Sequence, residues 1–154
     1  METNSDIIIR RLAKADLDQI LEIEKEAFLT PWPREFFEQE AENRAAYYIV
    51  MERLGEIIAY GGTWLSVFEG HITNIAVKKE YRRRGLGKAL VSNILSYLKS
   101  VSIPFAVLEV RSNNKAAQEL YRSLGFKYYK KVPGYYEDSG EDAFLYMCEL
   151  SRIK

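Results

Sequence analysis

Ile72-Thr73-Asn74-Ile75-Ala76-Val77, followed closely by Arg82-Arg83-Arg84-Gly85-Leu86-Gly87-Lys88, decides how this chain is read, because it joins a strand to a helix through a basic, glycine-interrupted turn. Such a turn suits a phosphate group. Gly85 and Gly87 remove side chains where a phosphate would approach backbone N–H groups, and the helix beyond points its unpaired first-turn donors the same way. Arg82, Arg83, Arg84 and Lys88 supply counter-charge. A Walker A loop is excluded, since Arg82 stands where its first glycine belongs and Ala89 where Ser or Thr would hold magnesium. A Rossmann turn fails too, because Leu90 occupies the place of its third small residue. What remains is either a pyrophosphate cradle or a helix start with solvated arginines.

Working outward, Ile7 to Leu12 reads as a strand. Asp16 is expected to cap a helix carrying Leu17, Ile20, Leu21, Glu24, Ala27 and Phe28 at helical spacing, with Gln19 completing a capping-box pair. Pro33 suits the first turn of a short second helix whose apolar side is Phe36-Phe37. Tyr47 to Arg53, Ile57 to Leu65 and His71 to Val77, separated by Leu54-Gly55 and Phe68-Glu69-Gly70, predict an antiparallel meander. The helix Leu86 to Leu98 and the apolar strand Phe105 to Val110 then make a parallel pair with the last strand of the meander. A helix over Asn114 to Leu124 stops at Gly125 in a Schellman-type turn with Phe126 packed back, and two more strands follow. A meander with one helical crossover predicts an α+β sheet rather than a doubly wound one.

The 154 residues suit one domain, with no composition shift to mark a linker. A formal net charge of zero argues against a nucleic-acid partner, which leaves the run Arg82 to Arg84 as a local feature. The single cysteine, Cys148, sits among Leu145, Met147 and Leu150 and reads as a core thiol, and with the one histidine, His71, it makes no metal cluster. His71 reads as structural. No apolar run is long enough to span a bilayer and no signal peptide is evident, so a cytoplasmic protein without membrane contact is expected.

Downstream lies Leu108-Glu109-Val110-Arg111-Ser112-Asn113-Asn114-Lys115-Ala116-Ala117-Gln118-Glu119-Leu120-Tyr121-Arg122-Ser123-Leu124-Gly125-Phe126. With the basic turn, this segment resembles the GNAT superfamily of acyl-CoA-dependent N-acetyltransferases, whose Arg-x-x-Gly-x-Gly turn is matched by Arg82 through Gly87. Phe28-Leu29-Thr30-Pro31-Trp32, Tyr135-Tyr136 and Glu141-Asp142-Ala143 narrow the likeness to the RimI-type ribosomal-protein-alanine N-acetyltransferases. The resemblance implies the GNAT fold, a mixed and mostly antiparallel central sheet flanked by about four helices. It implies acetyl-CoA as cosubstrate, no metal, and the N-terminal tail of a ribosomal or other protein as partner, with the enzyme a monomer. It further implies that Ile75, Ala76 and Val77 align the pantetheine arm by strand-like hydrogen bonds, that Leu86 and its neighbours in the turn hold the pyrophosphate, and that Asn114 contacts CoA.

Glu109 stands inside an apolar strand, and a carboxylate withdrawn from water binds a proton more readily. Without the resemblance, Glu109 and Arg111 read as a solvated strand end and Tyr121 as core packing. The family pattern makes Glu109 the general base and Tyr121 the general acid. Asn114, Ala117 and Tyr121 share one helix face, and small Ala117 leaves room for a pantetheine arm. Trp32, Tyr135, Tyr136 and Glu141 are candidates for gripping a peptide acceptor, and Glu137, Asp138, Glu141 and Asp142 either favour a basic tail or form a solvated loop. Other N-termini, lysine or small amines remain open as acceptors, as do a non-catalytic CoA-binding module and a polyanion-binding domain.

Overall fold

The structure is a computed structural model that describes residues 6–150. Its strands are β1 (Ile7–Arg11), β2 (Ala46–Arg53), β3 (Glu56–Leu65), β4 (Glu69–Val77), β5 (Phe105–Arg111), β6 (Lys127–Val132) and β7 (Ala143–Glu149). Its helices are α1 (Leu17–Ala27), α2 (Arg34–Glu42), α3 (Leu86–Ser100) and α4 (Lys115–Ser123). The strands form one sheet in the order β1-β2-β3-β4-β5-β7-β6. Every pairing is antiparallel except β4 with β5, the pair joined by α3. The mixed, mostly antiparallel sheet with four helices expected from the sequence is therefore present.

Alternation along the central strands produces two cores, one on each face. Ile49 and Met51 of β2 join Leu90, Ile94 and Leu98 of α3, whereas Tyr48 and Val50 join Leu17, Ile20 and Ile23 of α1 and Phe37 of α2. Local chemistry explains most boundaries. Leu54 and Gly55 both take positive φ, 50° and 86°, as a two-residue type I′ hairpin requires. At the end of α4, Phe126 N–H reaches Tyr121 O and Gly125 N–H reaches Arg122 O, with Gly125 at φ 99°, the expected Schellman pattern.

The start of α1 differs from expectation. Asp16 is helical rather than extended, and its side chain makes no capping bond to α1. Its carboxylate instead accepts Ala13 N–H at 2.8 Å and both terminal nitrogens of Arg10, while Gln19 Oε1 accepts Ile57 N–H. A 3-10 turn at Lys14–Asp16 precedes the helix and uses the aspartate from behind. An arginine two-pronged match outcompetes the cap. Pro33 likewise caps α2 rather than occupying its first turn.

Candidate active site

β4 pairs with β5 only at its beginning, where Glu69, Gly70 and His71 face Phe105, Ala106 and Val107. β5 then continues along β7 for its whole length, so the two parallel strands part beyond His71. Thr73 is an extra residue in the β3–β4 ladder, and such a bulge bends the strand and redirects its edge. Lys78 N–H bonds to Ile58 O on β3. By alternation, the polar backbone groups of Ile75 and Val77 turn to the edge that β5 has left, and those of Ala76 turn to β3. Of the three residues expected to align a pantetheine arm, Ile75 and Val77 thus present their backbone, and Ala76 contributes its buried side chain to the core.

The parting opens a cleft of about 490 Å³ lined by Ile75, Glu109, Asn114, Ala117 and Tyr121, and also by Trp32, Tyr135 and Tyr136. Residues predicted from distant parts of the chain therefore share one cavity. Tyr121 is half-buried against the core, with Phe126 edge-on at 5.8 Å, and burial pushes its phenol up to about 12. It holds its proton at neutral pH and can donate it. Asn114 caps α4 by accepting Ala117 N–H at 3.1 Å, which fixes the helix that carries Tyr121.

Glu109 is not surrounded by apolar groups alone. Its Oε1 lies 2.7 Å from His71 Nε2, and that contact raises the imidazole's pKa against the opposing effect of burial. His71, expected to be structural, is the partner of the candidate base. Tyr135 borders the same carboxylate, its phenol raised first by burial and then by the charge of Glu109. Trp64 packs edge-on against His71, with ring centroids 5.8 Å apart.

Arg111 holds the paired tyrosines in place. Its guanidinium lies 4.0 Å from the centre of the Tyr136 ring, bonds Asp138 at 2.7 Å and reaches Glu141 at 3.4 Å. Glu141 also accepts Asn113 N–H at 3.0 Å, and Asp142 accepts Gly134 N–H at 2.9 Å. Glu141 therefore braces the loop and does not line the cleft. Of the four acidic residues weighed for a basic tail, Glu137 and Asp138 reach the cavity wall, and Asp138 is already paired.

The basic turn lies past the Val77 end of β4. Gly85 takes φ 79° at the cap of α3, while Arg83 takes φ 65°. No side chain caps α3, so the first-turn N–H groups of Leu86, Gly87 and Lys88 have no intrahelical acceptor. A Cβ at Gly87 would come no nearer than 4.0 Å to Val77 and Leu120, which places the helix start between β4 and α4. Arg82, though exposed, folds back on the sheet: its Nε bonds Val77 O at 2.9 Å and its terminal nitrogen lies 3.7 Å from Glu26. The turn is thus an anion-ready helix start, continuous with the edge of β4 that β5 leaves.

Two contributors carry no signal in local sequence. His71 and Glu109 meet because His71 pairs with Val107 in parallel register, which puts Glu109 two residues further on the same face. Glu24 occupies an apolar helix position, yet its carboxylate is buried and hydrogen-bonded to Trp32 N–H, Tyr60 and Asn74.

Comparison with known proteins agrees with this geometry. The acetyltransferase (GNAT) family profile matches residues 17–126. A [ribosomal protein bS18]-alanine N-acetyltransferase of Escherichia coli K12 is 33% identical over 93% of this chain and 97% of its own. An N-alpha-acetyltransferase of Sulfurisphaera tokodaii is 36% identical over 92% of each. The crystal structure of the ribosomal-protein-S18-alanine N-acetyltransferase from Escherichia coli superposes with a TM-score of 0.87, at 31% identity and 96% coverage of both chains. A strand pair that parts beside the Glu109 carboxylate, a basic helix start next to it and similarity along nearly all of the described length lead to one assignment: the chain belongs to the GNAT family of acetyltransferases.

Proposed function

We propose that this acetyltransferase moves the acetyl group of acetyl-CoA directly to the α-amine of a protein N-terminus, with the N-terminal alanine of a small-subunit ribosomal protein as its acceptor. One observation carries the reading: a half-buried carboxylate, Glu109, and a protonated phenol, Tyr121, line the same cleft where β4 and β5 part. The alanine follows from the activity named for the Escherichia coli relative.

Acetyl-CoA supplies an acyl group on a thioester sulfur that leaves as thiolate. Arg83, Arg84 and Lys88 with the N–H groups at Gly85, Leu86 and Gly87 fit its pyrophosphate, the edge of β4 at Ile75 and Val77 fits its amides, and Asn114 lies along the same path. Glu109 takes the proton of the incoming ammonium, directly or through water, and the freed nitrogen attacks the carbonyl carbon. The C–S bond then breaks as Tyr121 gives its proton to the sulfur, and the nitrogen's second surplus proton returns to the Tyr121 oxygen, leaving amide and thiol. No residue is acylated, and Cys148 is buried in the core away from the cleft. An α-amine, with a pKa of about 7.7–8.0, is roughly 3–4 kcal/mol cheaper to deprotonate at pH 7 than a lysine at about 10.4, so one carboxylate suffices. Trp32, Tyr135 and Tyr136 wall the acceptor side, and the site of action is the cytoplasm.

A panel of peptides differing only in the first residue tests the acceptor. Highest kcat/KM for alanine supports it. Equal rates for many first residues would favour a broader enzyme, in line with the Sulfurisphaera relative's name, and transfer to none would refute the N-terminal reading.

A further inference from the structure

Glu24 lies on α1 with its side chain sealed from solvent, behind the part of the cleft wall formed by the chain that leaves the helix. Two of its three carboxylate bonds go to residues that line the cleft, Trp32 and Asn74, and the third goes to the buried Tyr60. Oε2 accepts Trp32 N–H at 2.8 Å, and Oε1 accepts Asn74 Nδ2 at 3.0 Å together with the Tyr60 hydroxyl. The carbonyl of Glu24 also receives Phe28 N–H at 3.0 Å. The segment from Phe28 to Trp32 is therefore tied at both ends to one residue. Phe28, Leu29, Thr30, Trp32 and Asn74 line the cleft that holds Glu109.

A buried carboxylate is a costly way to fill this position. Leu17, Ile20 and Ile23 pack on the same side of α1, and a well-packed apolar residue in place of a buried charge is often neutral or stabilising. What no apolar side chain can do is accept Trp32 N–H, or orient the Asn74 amide. Glu24 thus supplies geometry rather than packing.

We propose that Glu24 is a positioning residue for the acceptor: it holds the Phe28 to Trp32 wall and Asn74 at the spacing that lets an incoming amine reach Glu109. The inference rests on the acyl-transfer reading of the cleft. Donor binding uses the backbone edge of β4 at Ile75 and Val77 and the start of α3, whereas these bonds go to the Trp32 amide and the Asn74 and Tyr60 side chains.

The test substitutes Glu24→Leu and follows acceptor KM, acetyl-CoA Kd, and hydrogen exchange of the Trp32 amide. Acceptor KM should rise at least tenfold, acetyl-CoA Kd should stay within twofold, and the Trp32 amide should exchange at least tenfold faster while β2 and β3 amides keep their rates. An unchanged acceptor KM, or acceptor KM and acetyl-CoA Kd worsening together, would overturn the proposal. If the leucine variant does not fold, Glu24→Gln decides by the same split, with a smaller rise in acceptor KM expected and no rise overturning the claim. Should wild-type protein acetylate no N-terminal peptide, the acceptor reading fails on its own; the Trp32 exchange rate still judges Glu24, and an unchanged rate would sink it.

Discussion

Burial beside Phe126 pushes the Tyr121 phenol up to about 12, so it stays protonated over a wider pH range than a free tyrosine. General acids contribute about 10²–10⁴-fold, so Tyr121→Phe should lower kcat about 100-fold or more while acetyl-CoA Kd stays within twofold. A folded variant with wild-type kcat would remove the role. His71 offers a second test, since it is the only histidine and its imidazole resonance can be followed without ambiguity. Its hydrogen bond to Glu109 raises its pKa and burial lowers it. NMR titration should give a midpoint above about 6.5 in the wild type and below it in Glu109→Gln. The sign for stability follows: the pair's contribution is complete below the unfolded value and is lost as pH rises through the raised folded one. An identical midpoint in both proteins would contradict the pairing. Glu109 and Tyr121 can be picked out as candidates in the sequence because each sits in a recognisable motif, and the structure brings them to one cleft. His71 is not, because its role depends on strand register that local residues do not encode.

The elements are legible where backbone chemistry is local. Leu54-Gly55 forms its hairpin and Gly125 ends α4 through residues that carry their conformations with them. Asp16 misleads because a strand residue six positions earlier, Arg10, competes for a carboxylate that the helix pattern assigns to a cap. Glu141 misleads in the same way: its position beside the tyrosines suggests substrate, and Arg111 and Asn113 N–H claim it. The turn before α3 makes the clearest element-scale prediction. Nothing lies within 4 Å of a Cβ built on Gly85, so its glycine answers to φ 79° rather than to crowding. Gly85→Ala should therefore cost about 1–2 kcal/mol in urea denaturation and weaken acetyl-CoA binding by tilting the first-turn N–H groups. Unchanged stability with unchanged binding would show that the left-handed turn is not needed.

At the scale of the whole molecule, the function arises from a sheet that divides the work between its two faces. In the proposed reaction α3 and its core carry the donor's helix start, the chain between α1 and α2 forms the acceptor wall, and the parting of β4 from β5 joins them at Glu109. That the chain holds a mixed sheet with one helical crossover can be read from periodicity and turn residues. The cleft cannot, because it results from where a ladder stops, a bulge at Thr73 and a pairing three residues long. The central claim is direct transfer to an α-amine, and a single peptide with a free N-terminal alanine and an internal lysine tests it. After incubation with acetyl-CoA, fragment-ion mass spectrometry locates the added acetyl group. The account predicts one acetyl group, on the alanine nitrogen; acetylation of the lysine with the N-terminus left free would contradict it.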